Sequence, residues 1–188
     1  MKHLFTTLIF VCFISLLSLA QGQKTKAPET ATPTLANMSS YDSLKLSQLP
    51  EYILPEETNR RTLPFMVDNS AKPWFRPLIS QVGLECGQAS SIGVVFTYEL
   101  NYMRNISGSL PENQYATHFA YNFINGGSDA GVCFYETFEI LKKAGNPNVA
   151  DYGGMSAGGP SRWMSGYDLY YNAMHNRVSD VYSIKVNT

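Results

Sequence analysis

From Gly87 onward the apolar residues Ala89, Ile92, Phe96, Leu100 and Met103 recur at intervals of three and four, the spacing of one buried helix face. A helix that long must bury its apolar side, so the chain is expected to build a packed domain around it, with Phe96 and its neighbour Val95 in a central position. Two further helical patterns follow. After the break at Gly108, Ser109-Leu110-Pro111-Glu112 has the form of a capping box, and a helix is expected over 112–124 carrying Tyr115, Phe119 and Phe123. It stops at Asn125-Gly126-Gly127. Another is expected over 134–144, with Phe138 and Leu141 inward and Lys142, Lys143 and Gly145 as its end signal. The glycines between Gly153 and Gly159 mark a loop, and 181–186 reads as a strand with Tyr182, Ile184 and Val186 on one face.

The composition agrees with a folded domain: 188 residues, 44% hydrophobic and 13% aromatic. A formal charge of −1 with no basic run gives no electrostatic footprint for nucleic acid or anionic lipid. Three cysteines and three histidines, widely scattered, do not make a zinc ribbon or finger, so no metal and no cofactor is expected.

Residues 1–20 begin with Lys2 and His3, continue as an apolar run from Leu4 to Leu19 and end Ser18-Leu19-Ala20. This is the pattern of a signal peptide cut after Ala20, which makes the expected location extracytoplasmic, with no membrane anchor after cleavage. Cleavage removes Lys2 and Cys12, leaving a charge of −2 and two cysteines, Cys86 and Cys133, in an oxidising compartment. A structural disulfide between them is one expectation. Residues 21–62 are rich in Pro, Thr, Ser, Lys and Gln, and the stretch up to about Gln48 reads as a tail or linker, because its few large apolar residues cannot offset the entropy of ordering. Compact sequence is expected over 63–188.

The chemistry concentrates at Gln81-Val82-Gly83-Leu84-Glu85-Cys86-Gly87-Gln88-Ala89. A cysteine at the mouth of a long helix faces the free amides and the positive end of the helix dipole, which favour the thiolate. A glutamine just upstream can donate its amide to an oxyanion. Glu85 opposes this, since an adjacent carboxylate raises a thiol pKa unless it points into solvent.

The segment resembles the papain family of cysteine peptidases. Leu63-Pro64-Phe65 followed by Pro77-Leu78-Ile79-Ser80-Gln81 is similar to the start of the mature enzyme in that family, and the helix from Cys86 is similar to its central helix. Glu112-Asn113-Gln114-Tyr115 looks like the Ser-Glu-Gln-Tyr helix, while Gly126, Gly127 and Gly131, the helix to Gly145 and Asp151-Tyr152 look like the glycine-rich substrate strand and the turn that follow it. The resemblance covers 63–188. It implies an α+β fold, mainly the helical N-terminal lobe with the start of a β-rich second lobe. It implies peptide-bond hydrolysis with Cys86 as nucleophile, Gln81 and the Cys86 amide at the oxyanion, Gly126, Gly127 and Gly131 along the peptide, and a peptide or protein as substrate.

The sequence departs from the family twice. Gln81 precedes Cys86 by five residues where the family has six, and overlaying Cys86-Gly87-Gln88-Ala89 on the family's Cys-Gly-Ser-Cys run would instead put Ala89 at the nucleophile position. The histidine and asparagine of the family lie ~130 to 150 residues beyond the cysteine, a span that runs past residue 215. His118 reads as a packed or surface histidine and His175 as a loop residue. The expected function is therefore a secreted papain-like peptidase lobe that is inactive alone and completed by a missing second lobe or companion chain. The alternative is an inert papain-like module that binds a peptide or partner. The aromatic group Trp163, Tyr167, Tyr170 and Tyr171 is expected to be packing surface.

Overall fold

The helix expected from Gly87 begins one residue earlier and contains a segment wound more widely than an α-helix. In the computed structural model, which describes residues 40–53 and 64–184, an α-helical turn over Cys86–Gln88 leads into π-helical turns over Ala89–Phe96 and then an α-helix over Thr97–Arg104. We refer to the continuous element, 86–104, as α2. The proposed leader and the other residues outside those two ranges lie beyond the described part.

The wide turns are sealed at Thr97, whose amide and hydroxyl both donate to the Ile92 carbonyl five residues back, the latter at 2.9 Å. Each such turn delays the helix phase by about one residue. Ile92 and Phe96 are buried as expected, but Thr97 and Asn101 then turn inward, Leu100 is half-buried and Met103 is left 77% exposed. Val95 is exposed as well, so α2 is a flanking helix. It ends at Asn105, which takes the left-handed conformation (φ 52°) that asparagine tolerates.

The central helix is α3, Thr117–Ile124, in which Thr117 through Asn122 are all buried. Its sequence is apolar or aromatic nearly all round, the composition of an interior helix. The longer helix over 112–124 does not form. Pro111–Asn113 is a single 3-10 turn and Ser109 bonds to Ser107 instead of capping. Residues 114–116 are extended because they trade backbone hydrogen bonds with 147–149: the Val149 amide donates to Gln114 O at 2.7 Å and the Ala116 amide to Pro147 O at 3.2 Å.

Helix α4, Phe134–Lys143, matches its expectation, with Thr137 and Leu141 buried and Phe138 half-buried against Leu141's cluster. A short helix, Ser40–Ser47 (α1), packs on α4 and corrects the expectation of a featureless tail there; contact with α4 supplies the burial that the local sequence lacks. Val149–Tyr152 (α5) is capped by the Asn148 side chain, which accepts the Asp151 amide at 2.7 Å, and Tyr167–Met174 (α6) follows. Phe119, Phe123, Tyr152 and Tyr170 pack edge-on or tilted beneath α6 and its approach, a second core beside the one around Ile92, Phe96 and Leu141.

The described residues are mostly helical. Of the strand expected over 181–186, residues 185 and 186 lie outside the described part and 181–184 form one parallel bridge, in which the Tyr52 amide donates to Ser183 O at 2.8 Å and the Ser183 amide to Pro50 O at 2.9 Å. Tyr182 and Ile184 are exposed, and the β-rich second lobe is not seen among the described residues.

Candidate active site

The 76–81 segment lies along α2 because Gly93 lets it. A Cβ at Gly93 would sit 2.7 Å from Ile79 Cδ1, so a side chain there would force the Ile79 tip to shift; Arg76 Nη1, at 3.9 Å, would be in ordinary contact. Between the strip and the first turns of α2 is a cleft of about 270 Å³, lined by residues 75–79, Gln81, Cys86, Ala89, Ser90 and Val94. The two residues singled out for catalysis, Gln81 and Cys86, thus share one depression with Ala89, the alternative nucleophile position.

Cys86 is exposed at the first position of α2. Behind it Gly87 packs against Phe134 and the Val132 carbonyl, and Gln88 donates to Thr137 Oγ1 at 2.7 Å, so the first turn of α2 is bolted to α4. Gln81 is also exposed, with its amide nitrogen donating to Gly83 O at 2.9 Å, within its own loop.

The turn before Cys86 is anchored from below. Glu85 points neither to solvent nor to the thiol: it is fully buried, and Oε1 accepts the Val82 amide and the Ser156 hydroxyl, both at 2.9 Å. Its Oε2 lies 3.4 Å from Nε2 of His118, which is 3.0 Å from the Val82 carbonyl. A second carboxylate holds the other side. Asp129 Oδ1 accepts the Leu84 amide at 2.7 Å and the Tyr121 hydroxyl at 3.0 Å. Gly83, at φ 75°, is required between them, since a Cβ there would collide with the Asp129 carboxylate. Burial, and then the neighbouring Asp129 carboxylate, pushes the Tyr121 phenol well above its ordinary value.

Arg76 is the charged member of the cleft lining. It is 7% exposed, and its guanidinium donates to Pro77 O at 3.1 Å, Gln114 Oε1 at 3.1 Å and Met155 Sδ at 3.5 Å. Burial lowers its pKa from 12.5 to about 10. No carboxylate among the described residues forms an ion pair with it.

Both described cysteines carry free thiols. Cys133 stands just ahead of α4, half-buried beside Asp42 of α1; burial foremost, and then the Asp42 and Glu136 carboxylates, push its thiol pKa up. Gly126 and Gly127 are exposed at the left-handed turn that ends α3, with φ 65° and 76°, and the Gly127 amide is held by Asn125 Oδ1 at 2.8 Å. Neither they nor the exposed Gly131 line the Cys86 cleft. His118 is buried in the anchor and His175 is exposed near α6, edge-on to Tyr171, so no histidine among the described residues lines the cleft. Among the described residues no group of three or more His, Cys, Asp or Glu side chains is gathered to hold a metal ion. Sequence reading missed Arg76, Ser156 and Asp129: each acts through a partner distant in the chain and leaves no local spacing.

No family model matches the chain, and no curated protein matches it in sequence. Among solved structures it is similar to xylellain, a cysteine protease from Xylella fastidiosa, at 12% identity and a TM-score of 0.44, over 73% of this chain and 57% of that one. The chain therefore spans little more than half the length of that protein, and a likeness at this level does not establish a common fold.

Proposed function

We propose that the domain is a papain-like thiol peptidase lobe that presents Cys86 as a nucleophile to a peptide held in the adjoining cleft. The supporting observation is that Cys86, exposed at the head of α2, shares a cleft with Gln81 on a turn that the buried Glu85 and the exposed Asp129 carboxylates hold by hydrogen bonds. In this reading the Cys86 sulfur attacks the peptide carbonyl while the Cys86 amide and the Gln81 side chain, after leaving Gly83 O, donate to the oxygen that becomes negative. An imidazole must take the thiol proton and return one to the departing amine. None of the described residues supplies it at the cleft, so turnover depends on a histidine from a further segment or a companion chain. Export with the leader removed after Ala20 belongs to the same proposal, and so do peptide contacts of Gly126, Gly127 and Gly131, which, being outside the cleft lining, would meet only a peptide that extends beyond it.

The experiment is peptide cleavage by the purified mature chain, with and without Cys86→Ala. The reading expects binding of peptide and a reactive Cys86 without appreciable turnover by the chain alone. Appreciable cleavage by the chain alone contradicts it: cleavage lost in Cys86→Ala would show that the chain needs no further histidine, and cleavage that persists would show that Cys86 is not the nucleophile. The absence of histidine from the cleft lining also favours a second reading, an inert peptide-binding module, in which Cys86→Ala changes neither binding nor any chemistry.

A further inference from the structure

We propose that the Cys86 cleft selects peptides carrying a carboxylate near the bound segment, with Arg76 as its counter-charge and specificity-determining residue. The inference rests on the reading of the cleft as a peptide site, and names which peptides enter it.

A guanidinium has five N–H donors in a planar fork suited to a carboxylate. At Arg76 three acceptors are present, all neutral, and one is a thioether, a weak acceptor. Two N–H groups are therefore left for another partner. The side chain is more than nine-tenths buried yet lines the cleft, and an unpaired charge in that position costs folding free energy. The two carboxylates that hold the turn before Cys86 do not pair with it. Glu85 is instead committed to Val82, Ser156 and His118, and Asp129 to Leu84 and Tyr121. The rest of the lining is largely apolar: Phe75, Pro77, Leu78, Ile79 and Val94. A mainly apolar depression with one buried cation has the composition of a site that orients its ligand by a single charged contact. A carboxylate arriving there would complete the fork and neutralise the charge in a setting where such a hydrogen bond is stronger than in water. It could come from an acidic side chain or from a peptide C-terminus; the chemistry is the same.

The test is fluorescence anisotropy with labelled alanine hexapeptides. One set is C-terminally amidated with a single Glu walked through the positions, a second set carries Gln in its place, and a third pair is all alanine, one peptide with a free C-terminus and its twin amidated. For the wild-type chain, at least one Glu peptide or the free-acid peptide is expected to bind about tenfold or more tighter than its neutral twin, the scale of a charge-assisted hydrogen bond. A Glu preference assigns the side-chain source, and a free-acid preference the C-terminal one. Arg76→Gln is expected to abolish the preference, so that each acidic peptide and its neutral twin bind the variant alike, with a thermal melt by circular dichroism to show that the variant is folded. Arg76→Lys is expected to retain a reduced part of it. If neutral and acidic peptides bind the wild type equally, Arg76 has no such role although the cleft still takes peptide. If no peptide binds, both this inference and the peptide-site reading fall.

Discussion

Glu85 and His118 meet at 3.4 Å, both fully buried, under the turn that delivers Cys86 to the surface. The same carboxylate holds the Val82 amide and the Ser156 hydroxyl, and the imidazole reaches the Val82 carbonyl. One buried pair therefore fixes the start of the turn, its end and its contact with the loop after α5.

Removing that carboxylate strands three partners at once. Glu85→Ala is expected to lower folding stability by about 3 kcal/mol, the scale of breaking a buried charged contact. Glu85→Gln, which can still accept from Val82 and Ser156, is expected to lose less. Urea denaturation of the two variants checks the order; equal and negligible losses would show that the pair does not anchor the turn.

Buried tyrosines set the alkaline limit. Tyr115, Tyr121 and Tyr152 all have phenol pKa values raised above 10.0, chiefly by burial. A group whose folded pKa exceeds its unfolded one binds more protons in the native state, so its stability contribution is intact below pH 10 and is lost as pH rises beyond it. Urea midpoints are expected to hold up to about pH 10 and then fall. Tyr121→Phe is expected to flatten that fall, and an unchanged slope would remove Tyr121 from the account.

Two glycines with similar backbone angles are expected to respond differently to alanine. Gly145 (φ 70°) faces the Ala173 carbonyl oxygen so closely that a Cβ cannot be accommodated without moving α6, whereas Gly126 (φ 65°) has nothing within 4 Å. Gly126→Ala is expected to cost about 1 kcal/mol, the backbone penalty alone. Gly145→Ala is expected to cost about 3 kcal/mol or to prevent folding. Thermal unfolding of both variants measures the difference.

Helix α4 was legible in the sequence because its pattern is local: an amphipathic run closed by Lys142, Lys143 and Gly145. The start of α2 was legible for the same reason. The rest depended on partners far along the chain. The Ser109 capping pattern gives way because Tyr115 pairs with Asn148, and the phase of α2 slips because Thr97 bonds to Ile92 across a π turn that no spacing rule announces. At the candidate site Cys86 and Gln81 could be named from their order, but Glu85 could not be recognised as an anchor without His118. Arg76 sits in an irregular segment and acquires meaning only from its burial beside α2.

The most direct test is the site of modification by a peptidyl chloromethyl ketone, followed by mass spectrometry with time. Cys86 is exposed at a helix N-terminus next to the cleft, while Cys133 is half-buried with its thiol pKa pushed up by burial and by two carboxylates. A single adduct on Cys86, forming with saturable kinetics and slowed by unlabelled peptide, is the predicted result. Equal labelling of Cys133, or a rate that rises linearly with reagent and ignores competing peptide, would contradict the assignment of Cys86 to a peptide-binding nucleophile site.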